Sequence, residues 1–110
     1  MIPDQIGHFE EQVLTLVAIL GEEAYGNAIV QAVKDQLDRN VNLSAVHITL
    51  YRLQDKGLVT SEMGGATTNR GGRRKRFFRI TNAGKRKLNE LQEQRLKLWK
   101  MLPELKFVVR

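Results

Sequence analysis

A mainly helical fold with one small β-hairpin, in the order of a winged helix-turn-helix and extended by a long C-terminal helix, is the architecture this sequence predicts. Three observations lead to it. Three consecutive segments carry apolar residues at helical spacing. Two short β-prone runs then flank a stretch rich in glycine and arginine. A last segment repeats leucine at steps of three and four. The length, 110 residues, suits one domain, and 42% apolar with 27% charged residues is a globular composition.

The first segment places Phe9, Val13, Leu16, Val17 and Leu20 on one face of a helix, and Gly21 is suited to end it. The second has Ile29, Val30, Val33 and Leu37 at helical spacing, with Asp35 and Asp38 on the polar side and Asn40 as terminator; Val41 to Leu43 can form a very short strand. Ser44 is the expected N-cap of a third helix whose stripe is Val46, Leu50 and Leu53 and which Gly57 stops. Leu58 to Met63 changes to a β-like composition. Glycines 64, 65, 71 and 72 interrupt the chain before a second strand at Phe77–Ile80, of which one phenylalanine should enter the core. Thr81 or Asn82 can cap a fourth helix, carrying Leu88, Leu91, Arg95, Leu98 and Leu102, with Leu96 and Trp99 beside the stripe and Pro103 as its stop. From Ala83 to Leu102 it would span about 30 Å, so part of it should project from the body.

Charge is unevenly divided. Residues 1–69 hold four Lys/Arg and nine Asp/Glu, whereas residues 70–110 hold fourteen and three. A basic half on an acidic remainder points to a polyanionic partner for one part of the molecule. The basic residues concentrate at the expected hairpin tip: from Arg70 to Arg79 six of ten residues are basic and none is acidic. Glycine lets such a tip approach a duplex closely, and arginine reaches phosphates or the minor groove. Lys85, Arg86 and Lys87 add charge in the first turns of the fourth helix, against its dipole, as a phosphate-facing surface or as solvated side chains.

A third helix in this order packs one face on the first two and offers the other to the major groove. Ser44, His47, Ile48 and Tyr51 lie off the Val46–Leu50–Leu53 stripe and are the expected groove residues. Arg70, Arg73, Arg74, Lys75 and Arg76 are the expected wing contacts.

Other classes are excluded or weakened. With no cysteine there is no disulfide, zinc–thiolate site or thiol catalysis. The longest apolar run, Val13–Leu20, is far short of a membrane span, and no leader pattern opens the chain, so a cytoplasmic protein is expected. His8 and His47 form no metal motif, and no catalytic constellation or cofactor site emerges, so the chain is not expected to be an enzyme. Two rival readings stay open. A winged-helix protein-interaction module would want an apolar patch and an uncharged wing. An RNA binder would want more exposed aromatics than a chain with 6% supplies.

These residues resemble the PadR family of bacterial transcriptional regulators. The likeness runs through Ala24-Tyr25-Gly26-Asn27-Ala28-Ile29 at the second helix, Val46 to Val59 across the third helix and into the first strand, and Arg70 to Gly84 across the second strand into the fourth helix. It covers about residues 8 to 90, and the order and spacing of the three motifs carry more than any one of them. The resemblance implies a homodimeric regulator, often a repressor, on an inverted-repeat operator in double-stranded DNA. It divides the chain into a winged helix-turn-helix domain over residues 1–81 and a dimerisation helix and tail over residues 82–110, the layout of the short subfamily. Leu88, Leu91, Leu98, Trp99 and Leu102 would form the dimer interface, with Arg95 pairing to the partner's Glu90 or Glu93 or facing solvent. Some short members bind flat aromatic compounds between these helices, which makes Trp99 a candidate effector contact as well as a packing residue. In one departure, His47 stands where the family usually has Tyr.

Overall fold

The structure, a computed structural model, describes residues 5–64 and 74–103. Helix α1 (His8–Leu20) buries Val13, Leu14, Leu16 and Val17, while Phe9 and Leu20 of the expected stripe are half-buried at its ends. Gly21 closes it with φ of +59°, a conformation open to glycine, and one 3₁₀ turn, Gly21–Glu23, follows. Helix α2 (Gly26–Leu37) faces the core through Ile29 and Val33. It stops at Asp38 rather than Asn40: Asp38 takes the left-handed conformation and its N–H donates to the Lys34 carbonyl.

Helix α3 (Leu43–Asp55) begins earlier than expected. Asn42, not Ser44, is the N-cap, its side-chain oxygen accepting from Ala45 N at 2.7 Å. Asn caps as well as Ser does, and standing two residues earlier it lets Leu43 start the helix. For the same reason Val41 to Leu43 forms no strand; Leu43 already belongs to the helix. Val46, Leu50 and Leu53 are fully buried, as their spacing predicts.

Strands β1 (Val59–Met63) and β2 (Arg76–Ile80) pair antiparallel, with Ser61 opposite Phe78 and Val59 opposite Ile80. Phe78 is the phenylalanine that enters the core; Phe77 turns the other way and packs edge-on against Tyr25, with ring centroids 5.4 Å apart. The Phe78 N–H donates to the Ala24 carbonyl at 2.8 Å, and Tyr25 bridges to Phe77, so the hairpin is tied to the segment that leads into α2.

Helix α4 (Asn82–Met101) is capped by Thr81, whose hydroxyl accepts from Gly84 N at 3.0 Å and donates to the Gly57 carbonyl at 2.8 Å. At its root Gly84 is buried so closely on the Leu58 carbonyl that a Cβ would overlap it. Gly84→Ala should therefore cost about 1–3 kcal/mol in chemical denaturation, despite the better helix propensity of alanine; an unchanged midpoint would show that the backbones separate freely there. Beyond Leu88, which packs on the core, the helix leaves the body, and the molecule measures 57 × 34 × 22 Å.

One ion pair fastens α1 to the end of α3. Glu10 accepts from the Gly7 N–H at 2.7 Å and pairs with Lys56 at 3.1 Å, while Lys56 also donates to the Gln5 carbonyl at 2.8 Å. Burial pushes the Glu10 carboxyl up, but the Gly7 N–H and the Lys56 charge outweigh burial and hold it below its ordinary 4.5. A lowered folded pKa means stability that is complete above the unfolded chain's value and is lost as pH falls through the folded one. Glu10→Gln should cost about 1 kcal/mol at neutral pH, roughly 5 °C in melting temperature, and should flatten the acid limb of a pH series. An acid limb of unchanged steepness would remove Glu10 from the account.

Candidate nucleic-acid interface

The side of α3 away from the core carries Ser44, Ile48, Tyr51, Arg52 and Asp55, all exposed. Ser44 lies in the first turn, one residue inside the helix. Ile48 is 53% exposed, unusual for an isoleucine with no polar role, and Tyr51 is 43% exposed. Tyr51 does not float: its ring meets Phe78 edge-on at 5.9 Å, so the core braces it from behind. His47 is more enclosed than its helical position suggests. It is half-buried against the start of α2, where a Cβ on Gly26 would fall 2.5 Å from Nε2, and its ring is 6.2 Å from that of Tyr51. Only glycine at position 26 lets α2 and the imidazole come this close.

The wing residues divide. Arg70 and Arg73 lie outside the described residues. Arg74 is exposed. Lys75 places Nζ 4.0 Å from the centre of the Tyr25 ring, a cation–π contact. Arg76 donates from Nη1 to Ser61 Oγ at 3.1 Å, and Ser61 Oγ donates in turn to Gln54 Oε1 at 2.7 Å. Arg76 thus links β2 through β1 to the end of α3, setting the hairpin against that helix.

Arg74, Lys75, Arg76 and His47 converge with Tyr25, Gly26 and Asn27 on a concavity of about 240 Å³. Tyr25 is the N-cap of α2 and supplies no side-chain cap. Amide N–H groups of a first turn, a helix dipole and three cations make a surface suited to a phosphate. Sequence reasoning missed the α2 contribution. Its signal was the Tyr25-Gly26-Asn27 start of a helix without a capping side chain ahead of it. Among the described residues no group of three or more His, Asp or Glu is placed to hold a metal ion, and no helix is long and apolar enough to cross a membrane.

The five apolar residues expected at a dimer interface also divide, four on α4 and Leu102 just past its end, where the helix stops one residue earlier than expected. Leu88 packs against its own core and Leu91 is half-buried, whereas Leu98 is 65% and Trp99 47% exposed; Leu102 is half-buried. Arg95 keeps more than half of its side chain exposed, at the edge of the stripe, and within its own chain reaches Glu11 of α1 at 2.7 Å, a partner the sequence reading did not name. The reason is the crossing of α4 over α1, which the periodicity of a single helix does not reveal. Glu90 pairs with Lys87 at 3.6 Å.

Three helices, a basic hairpin tied to the third of them and an exposed face on that helix define a winged helix-turn-helix protein. The transcriptional regulator PadR-like family matches residues 13–90, and the chain belongs to that family, one of regulators and not of enzymes. Its fold is similar to that of a PadR family transcription regulator from hypervirulent Clostridium difficile R20291, 25% identical with a TM-score of 0.68 over 94% of this chain and 100% of that one. It is also similar to a padr family transcriptional regulator from Eggerthella lenta DSM 2243, 25% identical with a TM-score of 0.66 over 84% and 75% of the two chains. Bacillus subtilis PadR in complex with operator DNA is 23% identical, with a TM-score of 0.65 over 76% of this chain and 46% of that one. No curated protein sequence is significantly similar to the chain.

Proposed function

We infer that the protein is a homodimeric, sequence-specific DNA-binding repressor that recognises an inverted-repeat operator. One observation carries the reading: the cations Arg74, Lys75 and Arg76 and the α2 N-terminus gather beside the exposed face of α3. That pairing of a phosphate-binding edge with a groove-reading face is what duplex recognition requires. Ser44, Ile48 and Tyr51 read or position on the major groove. His47 sits at the junction, able to meet a base edge or the phosphate held by the α2 start. Arg70, Arg73 and Arg74 grip the flanking backbone, while Lys75 and Arg76 lend charge to the concavity from the positions that Tyr25 and Ser61 hold them in. The operator complex of Bacillus subtilis PadR supports duplex DNA as the ligand class at the level of fold.

In this reading residues 1–81 form the DNA-binding domain, and α4 with the residues after it carries dimerisation through Leu91, Leu98, Trp99 and Leu102, with Leu88 securing the helix root. An open concavity on α4 includes Leu91, Gln94, Leu98 and Trp99. A flat aromatic effector would stack on Trp99 there, between the two subunits' helices.

The test compares duplex DNA, duplex RNA and single-stranded RNA at matched salt by fluorescence anisotropy. Duplex DNA should bind tightest; RNA binding as tight or tighter would favour the RNA reading, and no binding to any nucleic acid would favour a protein-interaction module. A finer prediction concerns His47→Ala. Loss of a base contact should narrow the gap between operator and random DNA by about 1–3 kcal/mol, with a melting temperature lowered by only a few degrees because the ring is half-buried rather than core. Equal weakening on all duplexes would instead make His47 a phosphate contact.

A further inference from the structure

Past Leu88, α4 has left the core. Between positions 89 and 103 no described residue is buried, and only Leu91 and Leu102 are partly covered. The helix nevertheless keeps a polar tie to the body well along its length. Arg95 Nη2 lies 2.7 and 2.9 Å from the two carboxylate oxygens of Glu11 on α1, and Arg95 Nη1 is 3.4 Å from Gln92 one turn earlier. The Glu11 side chain is only 19% exposed; that of Arg95 is 54% exposed. An arginine in the middle of an otherwise leucine stripe is thus committed to its own subunit.

The position of this tie gives it leverage. The root of α4 is fixed by the Thr81 cap and by Gly84 on the Leu58 carbonyl. Arg95 stands eleven residues beyond Gly84, about 16 Å along the axis. A slip of about 2 Å at that radius is a rotation of roughly 7° between α4 and the body that carries α3. In a dimer held through α4, with reading helices about 34 Å apart, such a rotation swings each body, and the α3 it carries, about the root of α4. Two-fold symmetry doubles the effect: a displacement of each head by about 2 Å along the line joining them changes their separation by roughly 4 Å, about the rise of one base pair.

We propose that Glu11 and Arg95 are a positioning pair that fixes the direction of α4 against α1 and thereby sets the separation of the two reading helices. The proposal rests on the dimeric DNA-binding reading above. With the guanidinium more than half exposed to solvent, the pair adds little to folding stability. Its role is directional: a charge-assisted contact to both carboxylate oxygens holds one geometry where apolar packing has ended.

The chain has no cysteine, so a single Ser44→Cys on the exposed start of α3 places one spin label per subunit. Pulsed dipolar spectroscopy then reads the separation in the DNA-free dimer. With Glu11 and Arg95 present, one narrow distance is expected. Arg95→Ala and Glu11→Gln should each broaden it or shift it by about 4 Å. The exchanged pair Glu11→Arg with Arg95→Glu should restore the narrow distance, which a general loss of folding could not do. Superimposable distributions for all four proteins would overturn the proposal, as would single variants that broaden while the exchanged pair stays broad at an unchanged melting temperature. A label showing no dipolar partner at micromolar protein, with Glu11 and Arg95 intact, would overturn the dimer itself. That outcome is visible separately from failure of the pair.

Discussion

Leu91→Asp combined with Leu98→Asp is expected to give a monomer at concentrations where the unaltered protein is a dimer, and to abolish operator binding. The stripe these residues belong to extends past the point where α4 leaves its own core, and Leu98 is 65% exposed in the single chain. An apolar side chain of this size left in water forgoes about 1.5–3 kcal/mol. Two per subunit make four per dimer, which is several orders of magnitude in dissociation constant. Neither residue belongs to the buried core, so the monomer should remain folded, with its circular dichroism unchanged. Light scattering and operator binding then separate the cases. Retained dimerisation would place the interface elsewhere, and a monomer that still binds the operator tightly would contradict two-headed recognition.

The second large effect belongs to the wing. If each of two wings neutralises about three phosphates, log K should fall against log salt with a slope of roughly −5. Replacing Arg73, Arg74 and Arg76 by Ala should flatten that slope by several units and weaken binding to every duplex alike. Arg76 needs its own control, because it also holds Ser61, which holds Gln54. Gln54→Ala breaks the link from the wing to α3 without removing charge and should leave the slope unchanged. If the triple variant kept the full salt dependence, the wing would have no part in binding.

Much of this fold was legible because the pattern of buried residues follows period. Val46, Leu50 and Leu53, predicted as one face, are fully buried, and the change to β-like composition after Gly57 marks β1. What was less legible turned on choices between near-equal neighbours or on long-range geometry. Asn42 and Ser44 are both good caps two residues apart, and Asp38 and Asn40 both tolerate a left-handed turn. Propensity alone does not separate them. The exposed face of α3 followed from the stripe it excludes, but the enclosure of His47 did not, since it depends on a glycine 21 positions earlier meeting it across a helix crossing. Arg95 meeting Glu11 is the same kind of fact. Leu88 belonged to the predicted stripe yet packs on its own core, because a long helix is rooted in the body before it departs. The wing cations were plain in the composition. The contacts that hold Lys75 and Arg76 in place were not, because Tyr25 and Ser61 are ordinary residues until the hairpin brings them near.

The central claim, that two copies of α3 read two half-sites on one duplex, is tested most directly by selecting bound duplexes from a random pool with the full chain. The expected outcome is an inverted repeat whose half-site centres lie about one helical turn, 10–10.5 base pairs, or a multiple of it apart. The most invariant positions should lie where Ser44, Ile48 and Tyr51 enter the groove. Enrichment of a single, unrepeated half-site, or of no sequence at all, would contradict it.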